Sequence, residues 1–344
     1  MQTPAYWQTR FPACLLLPLS ALFSALAALR RGLYALGVLR QRRLPVSVVV
    51  IGNITAGGAG KTPTVLYLAE QLRRHGRKPG ILSRGYGGSE TGPAEVPTDG
   101  TASRYGDEPA LLARRSGCPV FIGRDRHATG LALLARHPDV DVLLCDDGLQ
   151  HYRLARDVEI VVVDGSRGLQ NGWLLPAGPL RETAGRLARC DALLVNGAAQ
   201  VPIPPHPRRF DMRLQPAAAW RLKDPAERRP LADFAGQPLA ALAGIGHPAR
   251  FFATLAAAGL QPSQHSFPDH HHYTATDLQA IQGGALLVTE KDAVKLTALL
   301  SAGELPHGGN IWAVPVEAQI APDLADWLID RLHTAKSKDG RKTA

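Results

Sequence analysis

Val46-Ser47-Val48-Val49-Val50-Ile51 runs into Gly52-Asn53-Ile54-Thr55-Ala56-Gly57-Gly58-Ala59-Gly60-Lys61-Thr62, and a helical pattern, Thr64–Arg74, follows. An apolar strand, a glycine-rich loop and a helix in that order make a phosphate-binding loop. Glycines let backbone N–H groups turn inward around phosphate oxygens, a lysine neutralises terminal phosphates, and a threonine hydroxyl can hold Mg²⁺. Thr55, Ala56, Gly57, Gly58, Ala59, Gly60, Lys61 and Thr62 are therefore the expected nucleotide contacts. Thr55 stands where the strict pattern has glycine, and Gly57 and Gly58 keep the backbone flexible. Pro63 suits a first helical turn, where a missing N–H costs little. Lysine is scarce around this one, with none between Lys78 and Lys223.

Further along, short apolar runs alternate with helical stretches. Gly80–Ser83, Val120–Ile122, Val142–Cys145, Glu159–Val163 and Ala192–Val195 read as strands, with helices over Ala110–Arg115 and Ala128–Ala135 between them. That alternation predicts a mainly parallel, doubly wound α/β sheet. The proline-rich stretch Val201–Pro207 marks a boundary, after which Arg208–Leu214 and Ala217–Leu222 could form a small connecting ribbon. A second α/β unit begins near Leu239, with strands at Leu239–Ala243, Ala285–Thr289 and Ile311–Val314. The expected organisation is an N-terminal segment 1–43, a nucleotide-binding domain 44–207, a β linker 208–237, a smaller α/β domain 238–335, and a polar, disordered tail 336–344.

The composition narrows the class. The chain has 344 residues, 39 basic and 30 acidic, for a formal net charge of +9. With 45% apolar and 20% charged residues it is neither disordered nor collagen-like. The four cysteines lie far apart with no C-x-x-C pair, which argues against a disulfide framework or a zinc site. The charge is diffuse except at Arg30, Arg31, Arg40, Arg42 and Arg43. Ahead of that cluster, Phe11–Leu29 is nineteen residues without a charge. That length is borderline for a membrane span, and Pro12 and Pro18 weaken it. A secretory signal and a buried helix of a soluble domain are alternatives. The preferred reading is a membrane-associating helix with its arginines facing anionic lipid.

Several polar constellations lie beyond the loop. Asp146 and Asp147 end an apolar strand, where a carboxylate can reach Mg²⁺ held near Thr62; an Asp-Gly turn is the plain alternative. Gln150 and His151 follow and could contact metal or phosphate. Gly106-Asp107-Glu108-Pro109 opens a helix with acidic residues in its first turn, which favours the helix dipole. Such a cap is compatible with a catalytic role. Asp269-His270-His271-His272 invites a metal reading, but three consecutive histidines point in divergent directions, so few can share one metal; a polar loop or one catalytic or orienting histidine is the stronger reading. Arg181-Glu182 is a phosphate contact or a surface ion pair.

Taken together, Gly52–Thr62, Ser83–Gly87, Gly106–Pro109, Asp146–His151, Val163-Asp164, Ala177–Glu182, Gly244–Pro248, Asp269-His270 and Val288–Asp292 closely resemble the tetraacyldisaccharide 4′-kinase family of Gram-negative bacteria. Thr183 follows Arg181-Glu182 where that family often has proline. The resemblance implies two P-loop-type α/β/α lobes joined by a short β linker, with an N-terminal membrane-associated helix and a site between the lobes. It implies ATP and Mg²⁺, and an anionic acceptor, a tetraacyl glucosamine disaccharide 1-phosphate phosphorylated on its 4′-hydroxyl at the cytoplasmic face of the inner membrane. It assigns Asp107 as base paired with His270, Lys61 on the phosphates, and Thr62, Asp146 and Asp147 near the metal. Glu108, Gln150, His151, Arg181 and Glu182 fall in its active-site motifs.

Three rivals are weaker. A membrane-associated switch ATPase usually carries lysine before the paired glycines, and Ala56 stands there. A GTPase would want Asn/Thr-Lys-x-Asp, and Thr289-Glu290-Lys291-Asp292 has the wrong spacing. Nucleic-acid binding rests on the net charge alone, without aromatic–basic interleaving.

Overall fold

The computed structural model describes residues 4–279, 281, 284–303 and 310–339. Two short 3-10 turns precede helix α1 (Leu17–Ala35), so the helix starts later than the charge-free run and continues past Arg30 and Arg31. Pro18 sits in its first turn, where it starts the helix instead of breaking it.

The first lobe then follows as β1 (Ser47–Gly52), α2 (Lys61–Arg74), β2 (Pro79–Ser83), β3 (Ala94–Glu95), α3 (Ala102–Tyr105), α4 (Asp107–Ser116), β4 (Val120–Ile122), α5 (Arg126–Arg136), β5 (Val142–Asp146), β6 (Val158–Asp164), β7 (Ala192–Asn196) and β8 (Arg209–Pro216). Its strands lie in the order β8-β7-β6-β1-β5-β2-β4-β3, all parallel except β3. Because helices cover both faces, the central strands read as continuous apolar runs. Val49 and Ile51 of β1 join one core with Leu68 and Leu112, while Val48 and Val50 join the other with Leu133 and Leu143. The chain leaves β1 and β5 toward opposite edges of the sheet. That switch point puts a crevice at the carboxyl ends of both strands, where open α/β sheets bind ligands.

The second lobe comprises β9 (Ala219–Arg221), β10 (Arg228–Arg229), β11 (Leu239–Ala243), α6 (Pro248–Ala257), β12 (Ser263–Ser266), α7 (Ala275–Gln279), β13 (Ala285–Thr289), α8 (Glu290–Ser301) and β14 (Ile311–Val314). Its sheet runs β10-β9-β14-β13-β11-β12. After it the chain returns to the first lobe as β15 (Val316–Ile320) and α9 (Asp323–Asp339).

Two expectations change here. The stretches around β8 and β9 do not pair as a ribbon. β8 continues the first sheet beside β7, and β9 pairs antiparallel with β14 in the second. The connection between lobes is instead double, with Ala217 N–H bonded to Pro315 O at 3.0 Å where the outgoing and returning chains cross. Residues 316–335 likewise belong with the first lobe. β15 pairs antiparallel with β8, and Leu324, Leu328 and Leu332, four apart on one helical face, enter the core that holds Val65 and Leu68. The α9 helix also runs through 336–339, part of the expected tail; residues 340–344 lie outside the described residues.

Leu328 is 1% exposed in that core. Leu328→Ala is expected to cost about 2–5 kcal/mol of stability by urea denaturation. An unchanged midpoint would mean that α9 is not part of the first lobe's core.

Candidate active site

The phosphate loop is held open by its own side chains. Asn53 Nδ2 donates to Gly57 O at 3.1 Å, and Lys61 Nζ donates to Asn53 Oδ1 at 3.2 Å. Asn196, at the end of β7, donates to Ala59 O at 3.0 Å. Gly60 has φ +106, and a Cβ there would meet Asn196 Nδ2 and Met212 Cε at 2.8 Å, so this turn requires glycine. The loop delivers Lys61 and the buried Thr62 to the first turn of α2, where unpaired N–H groups favour an anion.

Asp146 and Asp147 are sequence neighbours in opposite environments. Asp146 ends β5 and is fully buried; burial and the nearby Glu108 carboxylate push it up to about 7. Its Oδ1 has no hydrogen-bond partner, and Ser83 Oγ reaches Oδ2 only at 3.4 Å. Asp147 has φ +47, which turns its side chain out of the strand direction. It meets Lys61 Nζ at 3.4 Å and Arg181 Nη1 at 3.1 Å. Burial opposes its charge, but Lys61 and Arg181 outweigh it and hold the carboxyl at about 2. An orphaned buried carboxylate oxygen with a second carboxylate next in sequence fits a hard cation with oxygen ligands. Among the described residues no group of three or more His, Cys, Asp or Glu side chains could hold a metal alone. Phosphate oxygens would have to complete such a site.

Asp107 and His270 come from different lobes and meet across the cleft. Asp107 is the first residue of α4, buried, and accepts from His270 Nδ1 at 3.0 and 3.1 Å. Burial opposes its charge; the His270 bond and the Lys291 ammonium win, and its carboxyl lies at about 2. His270 sits at φ +60, edge-on to the Tyr86 ring at 5.2 Å, and its bond to Asp107 raises it above 6.5. Next to it, Glu108 is ion-paired with Lys291 at the start of α8, and Lys291 holds the Glu108 carboxyl below its ordinary value. Arg115 to Glu290 at 2.7 Å and Arg250 to Asp164 at 2.9 Å tie the lobes on either side.

Gln150, Arg181 and Glu182 also gather here. Gln150 Nε2 donates to Asn53 O at 3.2 Å and to Glu182 Oε1 at 2.9 Å, and Tyr152 donates to Glu182 Oε2. His151 does not join them. Its Nε2 accepts from Arg126 N–H at 3.4 Å, and burial with the Arg126 charge lowers it to about 4. Lys61, Asp107's neighbour Glu108, Asp146, Asp147, Gln150, Arg181, Glu182 and His270 all line one cleft of about 1130 Å³. Its far wall is the N-terminal segment, with Trp7, Leu26, Arg30 and Arg31. Lys291, Tyr86, Tyr152 and Asn53 were not singled out from the sequence as site residues. Asn53, Tyr86 and Lys291 lie inside stretches that carry the family resemblance, while nothing local marks Tyr152.

A family model described as tetraacyldisaccharide-1-P 4′-kinase matches residues 12–333. This chain belongs to that family. It is 52% identical over 340 residues to the tetraacyldisaccharide 4′-kinase of Chromobacterium violaceum, covering 98% of this chain and 97% of that one. It is 51% identical to that of an Azoarcus species, covering 96% and 95%. The solved structure of LpxK from Aquifex aeolicus in complex with ATP superposes with a TM-score of 0.78 at 29% identity, over 93% of this chain and 99% of that one. The two-lobed α/β fold is thus shared along the whole length.

The Asp107–His270 pair makes stability depend on pH in a defined window. The His270 contribution is complete below 6.5 and lost as pH rises through its raised value. The Asp107 contribution is present above 3.8 and lost as pH falls through about 2. His270→Ala should therefore lower the Tm most between about pH 4 and 6.5, with the deficit shrinking as pH rises through the raised His270 value. A deficit independent of pH would mean that the pair is not ionic.

Proposed function

We propose that this chain transfers the γ-phosphoryl group of ATP to the 4′-hydroxyl of tetraacyldisaccharide 1-phosphate, giving the bisphosphorylated lipid IVA of lipid A biosynthesis. The observation that carries this reading is that Asp107 meets His270 of the other lobe, and His270 lines the cleft that holds Lys61. Lys61 and the loop N–H groups cradle the ATP phosphates. Asp107 accepts the 4′-hydroxyl proton as the oxygen–phosphorus bond forms and ADP leaves. A carboxylate at about 2 is a weak base, yet a loose phosphoryl transition state asks for positioning and charge neutralisation more than basicity. His270 holds the carboxylate's orientation and shares the arriving positive charge. Thr62, Asp146 and Asp147 would hold Mg²⁺, which would neutralise charge developing on the transferred phosphates. Arg181 keeps Asp147 ionised for that role.

Transfer from [γ-³²P]ATP to detergent-dispersed tetraacyldisaccharide 1-phosphate, resolved by thin-layer chromatography, tests the reading. Wild type should label the lipid and Lys61→Ala should not. Asp107→Ala should lower kcat by about 10²–10⁴ with little change in the ATP KM. ATP hydrolysis without lipid labelling would sink the acceptor assignment.

The membrane surface is the second part of the reading. Among the described residues, one helix is long and apolar enough to cross a membrane, Ala13–Ala35. Leu19, Leu22 and Leu29 are more than half exposed on it, and Arg30 and Arg31 follow directly. An acceptor whose acyl chains stay in the bilayer would then meet the cleft at headgroup level on the cytoplasmic face. Flotation with anionic vesicles should fall sharply when Leu19, Leu22 and Leu29 are all changed to Ser; undiminished flotation would remove the anchor.

A further inference from the structure

An anchor needs only an apolar outer face, and α1 has something else. Ser20 is the one buried residue of Leu17–Ala35, although it is polar and its neighbours Leu19 and Leu22 are exposed. Its hydroxyl donates to Leu174 O at 2.8 Å and accepts from Ala177 N–H at 3.0 Å. Ahead of the helix, the buried Trp7 donates its indole N–H to Pro176 O at 3.0 Å. Three bonds from the N-terminal segment thus fall on four consecutive residues, 174–177.

The same stretch carries straight on to the phosphate loop. Ala56 N–H bonds Pro179 O at 2.8 Å, Arg181 N–H bonds Ile54 O at 2.7 Å, and Thr55 lies opposite Leu180 in an antiparallel bridge. Leu175 N–H to Leu180 O at 2.9 Å and Leu180 N–H to Trp173 O at 3.0 Å close the stretch on itself. A second route runs beside it through side chains. Arg31 of α1 lies 3.9 Å from Glu182, Glu182 accepts from Gln150, and Gln150 donates to the carbonyl of Asn53, whose side chain holds Lys61.

We propose that the N-terminal segment positions the phosphate loop, with Ser20 and Trp7 as the positioning residues, so that docking of α1 and binding of nucleotide are coupled. This rests on the reading of residues 55–62 as the ATP site. A glycine-rich loop loses conformational freedom when it closes on phosphate, and pinning one edge of it beforehand removes part of that cost. Releasing the pin restores the cost and weakens nucleotide binding, although neither Ser20 nor Trp7 touches nucleotide. Coupling of this kind is reciprocal: a chain whose α1 has left residues 174–177 binds nucleotide more weakly, and bound nucleotide favours the docked helix by the same factor.

The test is calorimetric titration of the full-length chain in detergent with β,γ-imido-ATP and Mg²⁺, with no acceptor present. Ser20→Ala should weaken the Kd by about 5- to 50-fold, Ser20→Thr should restore it, and Trp7→Phe should weaken it in the same direction. Vesicle flotation of Ser20→Ala should match wild type, because the exposed leucines remain. The triple serine variant of Leu19, Leu22 and Leu29 should show the opposite pattern, poor flotation with unchanged Kd. A wild-type Kd in both Ser20→Ala and Trp7→Phe overturns the proposal. If Ser20→Ala does not fold, Trp7→Phe decides alone, and an unchanged Kd overturns it. If wild type itself does not bind the analogue, the ATP-site reading fails and the coupling with it.

Discussion

The hydrogen bond of 3.0 Å between Asp107 and His270 spans the two lobes, and most of the architecture can be understood as what keeps that distance. A hydrogen-bonded pair whose halves belong to different lobes keeps its geometry only if the lobes cannot drift apart. The chain therefore crosses between lobes twice, with the two crossings bonded to each other at Ala217 and Pro315. Helices α4 and α8 are then clamped by Arg115–Glu290 and Glu108–Lys291, while Arg250–Asp164 holds the other side. The ion pairs are partly buried, so they resist screening better than surface pairs of the same geometry.

Within the cleft, charge is distributed by environment more than by residue type. Asp146 stays in line with its strand, and burial with the nearby Glu108 carboxylate pushes it toward the protonated form. One residue later the backbone turns to a positive φ and delivers Asp147 to Lys61 and Arg181, which keep it ionised. A buried carboxylate with an unsatisfied oxygen is costly unless something binds it. That cost is consistent with a site completed by phosphate-bound metal.

The stretch from 171 to 182 holds no helix or full strand, yet it is bonded on several sides. It touches the phosphate loop through backbone bonds, the N-terminal segment through Ser20 and Trp7, and the polar network through Arg181 and Glu182. Irregular backbone of this kind has to find partners outside a ladder, and here those partners belong to the two segments that the proposed reaction must bring together. The N-terminal segment and the phosphate loop thereby share one support.

Local pattern was enough for a large part of this. The run of valines before Gly52, the glycines, Lys61 and Thr62 specify strand, loop and helix because each depends on neighbours within a few residues. The apolar strands and the helices Thr64–Arg74 and Ala110–Arg115 follow from short-range apolar and helical patterns in the same way. The meeting of Asp107 with His270, 163 positions apart, was expected from family resemblance and not from spacing. Other features were out of reach. A strand signal does not say which sheet it joins, so the sequence suggests β8 and β9 as partners although each pairs elsewhere, and it groups the residues of α9 with the second lobe although they pack on the first. His151, next to Gln150 in sequence, points to Arg126 because adjacent side chains after a strand diverge. The sequence alone determined the phosphate loop and the layered α/β class, since those are short-range properties of the chain. Only tertiary packing decided which lobe the C-terminal helix completes, which carboxylate stays ionised and what Ser20 holds, because each depends on neighbours far away along the chain.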